Sequence, residues 1–148
     1  MYEQHPDDYQ VWRHFYFLLW SLLDDAPVEL LERLGVTACL RVLLTEGESR
    51  FTAQADFLFL AGYTIAILPY EFSPFDEWEQ KGKEILQQAT VLAPENLVYR
   101  LAYLGSLPDS PAYRQAIVDA APLVVSTFQG NGLLNRYFRN VLYRVGKL

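Results

Sequence analysis

The sequence predicts an all-α fold of stacked antiparallel helix pairs, and the expectation rests on apolar spacing, helix-end signals and sparse strand signals. Trp78, Gly82, Ile85, Leu86, Ala89 and Leu92 fall on one side of a helical projection, opposite Glu79, Gln80, Lys83, Glu84, Gln87 and Gln88. A second stripe, Leu133, Leu134, Tyr137, Phe138, Val141, Leu142 and Val145, is opposed by Arg136, Arg139 and Asn140. Ser73, Pro74 and Asp76 supply an N-cap, a first-turn proline and an acid for the helix dipole, and Ser110-Pro111 repeats that grammar. Gly35, Gly47 and Gly130 each follow an apolar segment, where a helix closes on a left-handed residue. Asn131-Gly132 separates helix-like runs, so no hairpin is indicated; only the β-branched stretch 122–128 would suit a strand.

These signals place helices in order. The first spans 7–24 and carries the apolar run Phe15 to Leu23; the second, 26–34, follows the acids Asp24 and Asp25 and stops at Gly35. The third, 36–46, holds Cys39 between apolar neighbours and ends at Gly47, and the fourth, 50–68, is built on the run Phe57 to Leu68. A fifth begins at Ser73-Pro74 and takes Trp78 into the core. Helices over 96–106 and 111–128, the latter interrupted by Pro122, precede the C-terminal one. About eight helices with short connections give one all-helical domain over 1–148, as a solenoid or an irregular bundle.

Composition agrees. At 148 residues and 51% hydrophobic, the chain buries a sizeable core without cross-links, and its one thiol, Cys39, forms no internal disulfide. The N-terminus is acidic where a secretory signal needs basic residues, and neither long apolar run reaches the ~20 residues of a membrane-spanning helix. Cytoplasmic residence is the expectation.

Catalytic motifs are missing from the sequence: no glycine-rich phosphate loop, no serine between glycines at elbow spacing, no paired histidines one helical turn apart. No enzymatic activity, cofactor or metal is therefore expected. Glu3, His5, Asp7 and Asp8 could be drawn as cation ligands but read as a solvated acidic terminus. His14 reads as a core or boundary imidazole satisfied by a hydrogen bond, and Cys39 as a packed, inert thiol.

The segment from Leu58 to Pro94 resembles a tetratricopeptide repeat, a helix-turn-helix unit that stacks into a solenoid. Leu58, Ala61, Gly62 and Ile65 match that family's first-helix spacing, and Gly82, Leu86, Ala89 and Pro94 its second. The chain departs from the family in about eight extra residues around Pro69 to Asp76 and in Leu58, where the repeat has a large aromatic. The resemblance implies stacked helix pairs that bind other proteins.

Charge is unevenly distributed. Residues 1–80 hold 14 acids and 4 bases, whereas residues 81–148 hold 4 acids and 8 bases. An acidic surface steers basic partners and repels nucleic acid, although Arg136, Arg139, Arg144 and Lys147 form a basic strip at the C-terminus. Two segments are candidates for partner binding. Tyr70, Glu71, Phe72, Asp76 and Glu77 mix aromatic anchors with steering charge, unless Phe72 and Phe75 fold inward as a staple. Asp24, Asp25, Glu29 and Glu32 form the second set, with the helix dipole as the simpler explanation for them.

In size, charge and helical architecture the chain resembles the immunity proteins of bacterial toxin systems, including contact-dependent growth inhibition. That resemblance implies an acidic module masking the active surface of a basic toxin such as a nuclease. Two alternatives stand beside it: a repeat-type adaptor or chaperone holding an extended peptide of a secreted protein, and a small-ligand-binding or enzymatic helical domain with an apolar pocket.

Overall fold

A computed structural model describes residues 7–72, 74–108 and 110–145, without the side chains of Asp24 and residues 143–145. Among the described residues the chain is helical throughout, with no strand. The helices are α1 (Tyr9–Asp25), α2 (Val28–Leu34), α3 (Val36–Arg50), α4 (Ala55–Ile67), α5 (Phe75–Leu92), α6 (Leu97–Ser106), α7 (Tyr113–Thr127) and α8 (Leu133–Val145). One 3-10 turn, Pro69–Glu71, lies between α4 and α5. No described helix is long and apolar enough to cross a membrane.

Helix α4 is the centre of the fold. Every residue from Phe57 to Ile65 is buried, as a stretch with no polar face requires, and its neighbours cover it from several directions. Against α5 the register descends: a Cβ on Gly82 would lie 3.0 Å from the Ala66 backbone nitrogen, and one on Gly62 would lie 2.9 Å from that of Leu86. Residues advance along α4 as their partners retreat along α5, so the pair is antiparallel, and the two glycines let the backbones touch. Helix α1 supplies Trp12, whose ring centre lies 5.1 Å from that of Phe57, and Tyr16, whose hydroxyl is 2.7 Å from that of Thr64. That bond satisfies the buried Thr64 hydroxyl, which also donates to backbone carbonyls of its own helix.

From α5 onward each helix packs on the next, through α6 and α7 to α8, and α8 returns to α1. An aromatic cluster closes this circuit: Phe138 packs against Phe17, Phe59, Tyr63 and Phe128, and Tyr137 meets Trp20 nearly edge-on.

Several expected helix ends move. Gly35 does close α2, at φ 61°, and Gly130 has φ 98° beyond α7, but Gly47 lies inside α3. Its hydrogen faces aromatic rings, since a Cβ there would come 2.8 Å from Trp12 Cζ2. Helix α3 therefore continues past 46 to Arg50, and α4 starts at Ala55 instead of 50. Pro122 does not interrupt α7 or open a strand over 122–128; it stands on the exposed side of the helix, as does Val118, the residue whose carbonyl it leaves without its helical partner. Ser110 and Pro111 form a turn, and α7 begins two residues later at Tyr113. Ser73 lies outside the described residues, and α5 starts directly after Pro74. Trp78 is half-buried, not a core residue.

Candidate functional site

Two acidic segments of the sequence meet at one groove. The C-terminal end of α1, helix α2, the start of α3 and the 3-10 turn enclose about 360 Å³. Leu23, Val28, Leu31 and Val36 give it apolar walls, and Glu32, Thr37 and Glu71 supply polar groups. The turn is fixed to α3: Thr37 Oγ1 donates to Glu71 Oε2 at 3.3 Å, and Arg41 Nη2 donates to the Glu71 carbonyl at 3.0 Å. Glu32 is exposed, and its carboxylate has no hydrogen bond or ion pair among the described residues.

The remaining candidates spread outward from that groove or lie elsewhere. Asp25 and Glu29 are exposed, Glu29 in the first turn of α2, where it also complements the helix dipole. The side chain of Asp24 lies outside the described residues. Tyr70 is 57% exposed, but Phe72 is buried, stacked on Trp78 at 5.3 Å between ring centres. Of the two phenylalanines read as a staple, only Phe72 turns inward; Phe75 remains half exposed. Asp76 and Glu77 are exposed in the first turn of α5 and do not line the groove. Lys81 sits 4.5 Å from the Trp78 ring centre and 2.8 Å from Glu48, so this cation lies over the indole and is paired with a carboxylate of α3.

A polar cluster that sequence reasoning missed joins α1, α4 and α6. Asp56, in the first turn of α4, accepts from the Tyr9 hydroxyl and, at 3.4 Å, from that of Tyr99, and pairs with Arg13 Nε at 3.0 Å. Burial, followed by the Asp56 charge and hydrogen bond, pushes both phenols well above their ordinary value. They stay neutral donors, which suits a clamp between helices better than a proton-transfer site. The only signal in the sequence was a carboxylate bordering an apolar run.

Other reactive groups have local explanations. His14 is exposed, not buried, and its Nδ1 lies 2.7 Å from the Gln10 carbonyl. Burial and Glu46 push the Cys39 thiol up, away from the thiolate a nucleophile needs. No metal-binding group of His, Cys, Asp and Glu occurs among the described residues, and Glu3 and His5 lie outside them. In α8, Arg139 donates to the carbonyls of Phe128 and Gly130, each at 2.6 Å, and so holds the α7–α8 connection; Arg136 is exposed, and the Arg144 side chain and Lys147 lie outside the described residues.

Comparison with protein-family models, curated proteins and solved structures finds no match to this chain.

Proposed function

We propose that this chain is a protein-binding module that neutralises a basic protein, such as a nuclease toxin, by covering its active surface, as an immunity protein does in the bacterial cytoplasm. The observation that carries this reading is the convergence of Glu32 and Glu71, from two separate acidic segments, on one groove with apolar walls. A lysine or arginine of the partner suits such a groove: its aliphatic stem lies along Leu23, Val28 and Leu31 while its cation meets the carboxylates. Exposed Asp25, Glu29, Asp76 and Glu77 add a steering field that raises the encounter rate.

The test uses the product of the adjacent reading frame as partner. Glu32→Lys with Glu71→Lys is expected to weaken binding at least tenfold and to flatten the salt dependence of association, with the helical circular dichroism unchanged. Unaltered affinity overturns the groove as the contact. Asp76→Lys with Glu77→Lys, outside the groove, separates steering from contact: the association rate falls and the dissociation rate holds.

The adaptor alternative draws on the glycine-mediated crossing of α4 and α5, the pairing a tetratricopeptide unit uses. It is weaker because α1 and α8 already cover α4, where a solenoid groove would hold an extended peptide.

A further inference from the structure

A second cavity, of about 200 Å³, lies among α4, α5, α6, α7 and α8. Its floor is made by Tyr63, Leu86, Leu101 and Leu142, all buried, and Ile67, 48% exposed, stands at its mouth. Close-packed interiors leave few voids much larger than a water molecule, and an apolar cavity of ~150 Å³ is enough to take up benzene. No charged side chain lines the cavity, so an ionised ligand would lose its hydration without compensation. Two hydroxyls border it on one side. The Tyr113 hydroxyl has no hydrogen bond among the described residues, and the ring fits against α6 because Gly105 lacks a side chain: a Cβ there would lie 3.2 Å from Tyr113 Cε2. The Ser106 hydroxyl donates to the Tyr103 carbonyl at 2.6 Å, which leaves its oxygen able to accept.

We propose that this cavity is a binding site for a small neutral molecule with an apolar body the size of one substituted ring and a single hydroxyl group. The ring fills the space over Leu86, Leu101 and Leu142, and the hydroxyl exchanges hydrogen bonds with Tyr113 and Ser106. The site is separate from the acidic groove and does not depend on what binds there.

The probe is p-cresol, titrated into the full chain with labelled methyl groups. The expected result is saturable shifts concentrated at Ala102, Val141 and Leu142, with a Kd on the order of 0.1–1 mM. The carboxylate of the same shape, p-toluate, should bind at least tenfold more weakly. Tyr113→Phe should weaken p-cresol several-fold and leave toluene unchanged. Ala102→Leu fills the space from α6 and should abolish the shifts at Val141 and Leu142; if it fails to fold, Val141→Phe fills the cavity from α8. Absence of saturable shifts in the unmodified chain at millimolar p-cresol overturns the proposal. So do shifts scattered over the surface, equal affinity for p-toluate, or undiminished binding in a folded cavity-filling variant.

Discussion

Gly62 and Gly82 fix how closely α4 and α5 approach. A methyl at Gly62 would stand 2.8 Å from Leu86 Cγ and 2.9 Å from a backbone nitrogen, so the helices must separate to admit it. Gly62→Ala should therefore lose about 1–3 kcal/mol to overpacking, despite a gain of about 1 kcal/mol in helix propensity. Gly132→Ala, where nothing lies within 4 Å, should change stability by less than about 0.5 kcal/mol. Urea denaturation midpoints check both. In the sequence Gly62 and Gly82 stand out only as small residues at tetratricopeptide-like spacing, which does not say that two backbones meet there, and Gly47 reads as a helix end. A glycine after an apolar stretch looks the same whether it closes a helix or admits a tryptophan ring. The Asp56 clamp was less visible still, because Tyr9, Arg13 and Tyr99 are brought to it by tertiary packing alone. Tyr9, Tyr16 and Tyr99 are each pushed above the ordinary phenol value of 10.0, with burial the largest cause. The unfolded chain releases these protons first, so it binds fewer than the folded chain above pH ~10, and stability falls as pH rises. Below that pH the contribution is fully present. Thermal melts should be flat in this respect up to pH ~10 and then decline by up to about 1.4 kcal/mol per pH unit for each phenol still protonated in the folded chain. A Tyr16→Phe variant should show a shallower decline.

Among the elements, α2 and α4 are opposites. Helix α2 has no buried residue, carries exposed Val28 and Leu34, and packs on α3, whereas α4 is buried for nine consecutive residues. Local opening follows burial, so amides of residues 28–34 should exchange with solvent orders of magnitude faster than those of 57–65, which should open only with global unfolding. Equal protection in the two helices would contradict this packing. The contrast bears on the proposed groove, because α2 forms one wall of it and can adjust to a partner at little cost. Periodicity made α5 and α8 readable from sequence, since one face of each is polar. The ends of α3, α4 and α7 were harder: α4 is apolar all round and has no face to read, and Pro122 is tolerated because it lies on the solvent side of α7.

At the scale of the whole molecule, the sequence divides into an acidic first part and a basic second part, but the fold does not keep them apart. Helix α8 returns to α1, and its Tyr137 and Phe138 pack among Phe17, Trp20, Phe59 and Tyr63. Its basic residues thus belong to the same compact body as the acidic groove, and Arg139 is spent on the connection from α7. This return also separates the fold from an open solenoid, in which each unit touches only its neighbours and a terminal helix can be removed with local loss. Here the terminal helix buries Leu134, Phe138 and Leu142, and Phe138 meets rings of both α1 and α4. At about 1.5–3 kcal/mol for each side chain, those three contacts approach the whole stability of a domain, typically ~5–15 kcal/mol. Truncation after Asn131 should therefore abolish the cooperative thermal transition and expose the aromatic cluster to a hydrophobic dye, with much of the helical signal retained. A truncated chain that melts cooperatively, only a few degrees below the full one, would show instead that the helices stack as a linear array and that α8 is a replaceable cap.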